Sequence, residues 1–310
     1  MNKIGSARSK AYRAACLVIM ILLAVLFIFP LYWIVIGAFK TQTENYSLDP
    51  IWWPSEWSTG SWEALLSRRS APLFEISIPF SRNFMPNGED LVLLTGPVVP
   101  GAFRWLVNTV FMAVAAMVIT CITAALAGYA LAKKRFVGRA LIFSLIVCAM
   151  ALPKQVILIP LLREMRFLGL TNNIWAVIFP TVGWPFGVFL MKQFSESIPD
   201  EVLESARMDG ASELKTFITI VFPMVKPGVG ALAIFTFINS WNDYFMQLVM
   251  LSSNDNFTLP LGIATLQGDT TLDVGLLMAG AALASVPIII VFLIFQKYFT
   301  KGITMGAVKG

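Results

Sequence analysis

Four stretches of the chain run without a charged residue: between Arg13 and Lys40, Arg104 and Lys133, Arg166 and Lys192, and Asp273 and Lys297. A helix of about 20 apolar residues covers the ~30 Å hydrocarbon core of a bilayer, and each gap exceeds that length. Two further apolar stretches carry one charge each: Ala140–Leu162 holds Lys154, and Val229–Met250 holds Asp243. The pattern predicts an all-α integral membrane protein with six transmembrane helices. The first run reaches Phe39. That is well past the ~7–15 apolar residues of a signal-peptide core, and no small-residue cleavage site ends it. It is expected to stay as the first helix.

Lys and Arg set the orientation, because they gather in short cytoplasmic segments. With the N-terminus inside, the inner segments hold Lys3, Arg8, Lys10 and Arg13; Lys133, Lys134, Arg135 and Arg139; Lys192, Arg207, Lys215 and Lys226; and Lys297, Lys301 and Lys309. The outer loop from Leu251 to Asp273 has no Lys or Arg. Both termini are therefore expected in the cytoplasm.

Two connections stand out. Residues 41–103 form a long outer loop after the first helix. Its Trp52, Trp53 and Trp57 suit the membrane interface, where the amphipathic indole is favoured. Within it Phe74, Ile76, Ile78 and Phe80 alternate with Glu75, Ser77 and Pro79. A period of two reads as a short strand, and Pro79 confines it to an edge. Leu91–Leu94 is its expected partner across an Asn87-Gly88 turn. A disordered insertion is the rival reading. The other connection, 193–227, lies inside and reads as a helix–turn–helix on the cytoplasmic face. Pro199 suits a first helical position, Asp200 and Glu201 complement the helix start, and Gly210 suits a left-handed end. Ser212 can cap a second short helix, which Pro223 is expected to end.

Composition agrees with lipid as the solvent. Apolar residues make up 57% of the 310, charged ones 13%, and the mean hydropathy is +0.74. There is no histidine, which excludes Ser-His-Asp and Cys-His catalysis and His-based metal sites. Cys16, Cys121 and Cys148 lie in apolar stretches without a CxxC pair, so neither a metal clip nor a disulfide framework is expected. The net charge of +5 follows from the cytoplasmic excess of Lys and Arg, not from nucleic-acid binding. No P-loop occurs. Gly228-Val229-Gly230-Ala231-Leu232-Ala233 matches a loose dinucleotide fingerprint, but it opens a membrane helix instead of following a strand. Polar residues inside a membrane are functional candidates. The group Asn239, Trp241, Asn242, Asp243 and Tyr244 is the clearest. Two readings stand for Asp243: a cap at the interfacial end of its helix, or, with Asn239, a wall of a polar cavity between subunits. Lys154, after Pro153, is expected to snorkel towards the outer interface.

At the inner connection the sequence resembles a known family. Glu204-Ser205-Ala206-Arg207-Met208-Asp209-Gly210, followed by Ile220-Val221-Phe222-Pro223, is similar to the EAA signature of binding-protein-dependent ABC importer permeases. Glu204, Ala206, Gly210, Ile220 and Pro223 fall in its register; Ser205 replaces an Ala, and Phe222 stands where Leu is common. Trp241-Asn242-Asp243-Tyr244-Phe245, Thr258-Leu259-Pro260-Leu261-Gly262 and the ending Lys301 to Gly310 resemble the carbohydrate branch, in particular the smaller permease of maltose-type systems. The resemblance covers about Arg104 to Gly310 and the first helix. It departs in a longer outer loop around Ala71 to Pro100.

The resemblance implies a division of labour. Residues 1–40 are the N-terminus and first helix, 41–103 the outer loop, 104–300 a five-helix transport core holding the loop 193–227, and 301–310 a cytoplasmic tail that reaches the ATPases. An extracytoplasmic solute-binding protein delivers a sugar, a second homologous permease completes the path, and an ATPase dimer hydrolyses ATP with magnesium. This chain itself carries no catalytic or metal site and no cofactor. Glu204, Ser205, Ala206, Asp209, Gly210, Ile220 and Pro223 are the expected ATPase-coupling residues, and Asn239, Asn242 and Asp243 the candidate path. The expected location is a bacterial inner membrane. The alternatives are an importer of glycerol phosphate or a polyol, and an integral membrane enzyme.

Overall fold

The computed structural model describes residues 3–78, 91–267 and 273–307. The helices and strands, in chain order, are α1 (Lys3–Gly37), α2 (Gln42–Asn45), α3 (Gly60–Ser67), β1 (Ser70–Pro72), β2 (Glu75–Ile78), β3 (Leu91–Thr95), β4 (Val98–Pro100), α4 (Gly101–Lys133), α5 (Arg139–Ala149), α6 (Lys154–Phe167), α7 (Trp175–Val182), α8 (Pro185–Glu196), α9 (Asp200–Met208), α10 (Glu213–Thr216), α11 (Phe222–Asn242), α12 (Tyr244–Met250), α13 (Leu259–Leu266) and α14 (Val274–Ala307). They divide into two compact units, one of residues 1–69 with 265–285, the other of 70–264 with 286–310.

Among the described residues, five helical stretches are long and apolar enough to cross a membrane: Tyr12–Gly37, Gly101–Lys133, Trp175–Glu196, Glu213–Asn242 and Val274–Gln296. The expected third span differs. Ala140–Leu162 is no straight helix but the pair α5 and α6, bent by 108°. Pro153 supplies the reason: it lacks an N–H and stands in extended conformation as the N-cap of α6, so the ladder of α5 cannot run through it. Counting the bent pair as one span gives the expected six.

In the first unit, α1 leaves Leu22, Phe27 and Ile28 more than half exposed, as expected of a helix whose solvent is lipid. Beyond it Thr41 and Glu44 form a capping box, and Glu44 also accepts from the Ser55 N–H and hydroxyl. These donors hold the Glu44 carboxyl at about 2. The expected interfacial tryptophans pack beside the end of α1. Trp52 meets Trp33 edge-on, Trp53 meets Trp57, and the Lys40 ammonium lies 3.9 Å from the Trp33 ring centre.

In the second unit, α4 is the axis. Its buried face reads Ala113, Ala116, Thr120, Ala124 and Gly128, a helical spacing of small residues that lets backbones approach. A Cβ added at Gly128 would lie 2.6 Å from the backbone of Met191 and Lys192 in α8, and one at Gly187 would lie 3.3 Å from Ala124. The close approach of α4 to α8 therefore depends on glycine from both sides. The strands of the loop after α1 pair antiparallel, β1 with β4 and β2 with β3. The second pair is the expected one, joining Ile76 to Leu94 with an irregularity at Ser77. Phe80, Asn87 and Gly88 lie outside the described residues. At the other terminus, the expected tail is helical through Ala307 as a continuation of α14.

Candidate functional site

The exposed helix α9 owes its limits to local sequence. Pro199 is its N-cap, one position earlier than expected, with Asp200 and Glu201 in the first turn. At the other end Gly210 has φ +75°. The Ala211 N–H reaches the Ala206 carbonyl and the Gly210 N–H the Arg207 carbonyl, each at 3.0 Å. This is a Schellman ending, which satisfies carbonyls that a helix end otherwise leaves bare. Ser212 then caps α10 by accepting from the Lys215 N–H. Pro223, however, does not end the second helix. The chain passes through a π turn at Phe217–Val221 and straight on into α11, with Pro223 in its first turn. The Phe222 N–H bonds five residues back to Phe217. The missing donor of Pro223 thus falls where the ladder changes register and one N–H would lack a regular acceptor.

Leu203 and Ala206 turn inwards and are buried, whereas Glu204, Ser205, Asp209 and Gly210 are exposed. Met208 is 88% exposed, a high value for a large apolar side chain. Ile220 is half-buried and Pro223 exposed. Leu203 enters a core cluster in which Ile198, Phe217, Val221, Val225 and Leu232 meet Cys121, Ala125 and Met191. Ion pairs fix α9 to the end of α4. Lys133 Nζ donates to the Ile198 carbonyl at 2.5 Å and to Asp200 Oδ1 at 2.7 Å. Lys134 pairs with Glu213, and Arg207 lies 3.7 Å from the same carboxylate. The Lys133 hydrogen bond holds the Asp200 carboxyl below its ordinary range. Between these groups opens a polar cleft of about 410 Å³, lined by Lys133, Lys134, Arg135, Asp200, Leu203, Glu204 and Arg207.

A second cavity, of about 420 Å³, lies against the bend between α5 and α6 and the far end of α11. Asn239 and Asp243 line it; Asn242 does not. Within this chain Asp243 is at once a helix cap and part of the cavity wall. One carboxylate oxygen caps α12 through the Met246 N–H at 3.3 Å, and the other lies 3.5 Å from Lys154 Nζ. Lys154 therefore has a carboxylate partner, which the snorkelling expectation missed. That expectation treated each charge alone, and only the bend at Pro153 brings them together.

The opposite end of α4 is closed by a polar knot that the sequence reading did not pick out. Arg104 donates to the Leu73 and Asp255 carbonyls, Trp105 to Asn254, and Asn108 to Asp255 and Phe257. Asn172, at φ +55°, accepts from the Ser252 and Ser253 N–H groups at 2.9 and 3.0 Å. The signal was an Asn flanked by turn residues, a type that tolerates the left-handed region, but the donors it accepts from lie far along the chain.

A family model described as binding-protein-dependent transport system inner membrane component matches residues 122–305. The arabinooligosaccharides transport system permease protein of Bacillus subtilis is 30% identical over 311 residues, covering 98% of this chain and 99% of its own length. Its counterpart in Halalkalibacterium halodurans is 38% identical over 208 residues, 67% of this chain and 75% of that one. Among solved structures, a chain of a bacterial ABC transporter involved in the import of the acidic polysaccharide alginate superposes with a TM-score of 0.69. Its identity is 22%, over 94% of this chain and 98% of that one. At that identity the likeness concerns the fold.

Proposed function

The chain belongs to the family of binding-protein-dependent transport system inner membrane components, and we propose that it is one of two permease subunits of an ATP-driven importer of a sugar or oligosaccharide. A permease subunit of this family is a multi-pass inner-membrane protein and not itself an enzyme. The observation that carries the finer reading is the EAA-like run, Glu204 to Gly210. It lies on a capped, exposed helix whose inner face is keyed into the core. Relatives named for arabinooligosaccharides support the substrate class.

In this reading α9 docks on the partner ATPase in the cytoplasm. Ser205 and Asp209 allow close approach, Glu204 meets a cation, and Met208 supplies apolar contact. Ile220 and Pro223 hold the joint between α9 and α11. When the ATPases close on ATP and magnesium, the motion enters through Leu203 and Phe217. Close-packed side chains transmit displacement instead of absorbing it. The shared cluster leads to Val225 and Leu232 on α11, and α11 ends at Asn242 beside the cavity. The path wall at Asn239 and Asp243 thus moves with the cytoplasmic helix. The binding protein docks on the outer side, where β1, β2, β3, β4 and residues 251–257 lie, and the second permease completes the path. Membrane lipid surrounds the spans.

The test is Glu204→Lys in the full importer. ATPase co-purification and uptake of radiolabelled arabinotriose should both fall at least tenfold while the permease pair still purifies together. Normal uptake in the variant, or a wild-type chain that purifies without any ATPase, overturns the reading.

A further inference from the structure

We propose that the cavity at the Lys154–Asp243 pair is a subsite for one ring of an uncharged sugar, and that the pair sets a preference for neutral over acidic sugars. The inference rests on the importer reading and adds a residue-level basis for selectivity.

The cavity's volume of about 420 Å³ falls within the roughly 300–1,000 Å³ of small-molecule sites. Its wall has two characters. Leu152, Ile157, Trp184 and Phe186 are apolar, and Asn239, Ser240, Asp243 and Lys154 are polar. A sugar ring has the same two characters: a C–H face suited to the negative face of an aromatic ring, and a rim of hydroxyls. Trp184 and Phe186, with ring centres 4.9 Å apart, offer the aromatic surface. Asn239 donates its amide to the Phe235 carbonyl, which leaves its Oδ1 to accept from a hydroxyl. Asn239, Lys154 and Asp243 present polar atoms to this space, whereas the Ser240 hydroxyl is covered by protein. A lipid chain or an apolar side chain of a second permease would leave these polar groups unmet in a membrane, where that is costly.

Charge decides which sugar. Lys154 and Asp243 are the charged residues in the cavity wall, and they cancel. Lys154 is the first residue of α6, where the helix dipole disfavours a cation, so Asp243 offsets two positive contributions at once. An acidic sugar would have to displace Asp243 from Lys154 and leave that carboxylate facing its own. A neutral sugar faces no such competition.

Saturation-transfer NMR on the purified importer, without its binding protein, tests this with two probes: arabinotriose, which is neutral, and trigalacturonate, which is acidic. Wild type should transfer to arabinotriose and only weakly to trigalacturonate. Asn239→Leu should cut the arabinotriose signal at least fivefold. Asp243→Asn, which frees Lys154, should raise the trigalacturonate signal at least fivefold. If Asp243→Asn fails to assemble, Leu152→Lys adds a positive charge to the same wall from an exposed position and should give the same gain. Unchanged trigalacturonate signals in the assembled variants overturn the charge balance. An unchanged arabinotriose signal in Asn239→Leu, or separation of the two permeases in that variant, overturns the subsite and assigns the cavity to other contacts. Uptake by wild-type vesicles with binding protein separates the two readings. Sugar uptake without the expected NMR changes sinks only this inference, and no uptake of any sugar sinks the importer reading.

Discussion

Gly210 carries the end of α9 because its φ of +75° is open to glycine and strained for most other residues. Nothing lies within 4 Å of a Cβ built there, so a substitution is opposed by backbone strain and not by crowding. Gly210→Val should cost roughly 1–3 kcal/mol and fray the last turn, where the exposed signature residues sit. We expect ATPase co-purification to be lost while the membrane core keeps its detergent-extracted size. Asn tolerates the left-handed region, so Gly210→Asn should restore most of the attachment; equal loss in both variants would show that the turn's conformation is not what matters. At the other end of the helix, Asp200 has its carboxyl pKa lowered by Lys133. A depressed folded pKa adds stability that is present above the unfolded value, about 3.9 for Asp, and is lost as pH falls through the folded value. Protection of residues 198–210 against hydrogen exchange, taken relative to the intrinsic amide rate at each pH, should therefore hold above the ordinary carboxylate range and fall below it. In Lys133→Met the protection should already be lower above that range and the acid-dependent fall should be absent; a profile like that of the wild type would deny the pair its role.

At the scale of elements, what could be read in advance was local. Uninterrupted apolar runs located the spans, because a bilayer leaves few alternatives to a helix. Pro199, Gly210 and Ser212 marked both limits of α9 and the start of α10 to within a residue, because caps act over three or four neighbours. The errors share one cause. Pro153 and Pro223 are the same residue type in apolar surroundings, yet one breaks a span by 108° and the other rides through a π turn. Sequence alone does not say whether tertiary packing will supply an alternative ladder. The knot at Asn172 and the Lys154–Asp243 pair likewise join residues distant in the chain. Helix approach falls between these cases. The small residues of α4 are visible at a spacing of three or four, but the partner α8 is not. Gly128→Val would push a methyl-bearing carbon into the backbone of Met191 and Lys192, which cannot rotate away. Overpacking of this kind costs about 1–3 kcal/mol or more. The variant should lower the thermal midpoint of the purified complex by several degrees, whereas Leu126→Val on the exposed side of the same helix should leave it nearly unchanged. Equal midpoints for the two would mean that α4 and α8 are not held at this contact.

Across the second unit as a whole, one helix separates two unlike polar ends. At its start α4 holds Arg104, Trp105 and Asn108 against residues 73 and 254–257; at its finish it holds Lys133 against Ile198 and Asp200. The helix is 33 residues long, about 50 Å at 1.5 Å each. A bilayer with its headgroups spans roughly 40–45 Å, so the two ends belong to opposite sides of the membrane. Asn254 and Ser70 share one end, since the Asn254 amide donates to the Ser70 carbonyl at 3.4 Å. Ser212 shares the other through α10 and the Lys134–Glu213 pair. Which end is inside follows from charge. The Lys133-Lys134-Arg135 run and Arg207 gather at one end, and the loop 251–273 has no Lys or Arg, so the positive-inside rule predicts a cytoplasmic α9. With Cys16, Cys121 and Cys148 replaced by alanine or serine, single cysteines at 70, 254 and 212 report the sidedness. An impermeant maleimide added to sealed cells should label positions 70 and 254 and spare 212 until the membrane is opened. Labelling of 212 alone would invert the orientation and move the signature helix out of reach of any cytoplasmic ATPase. Labelling of all three in sealed cells would deny that α4 crosses the bilayer at all.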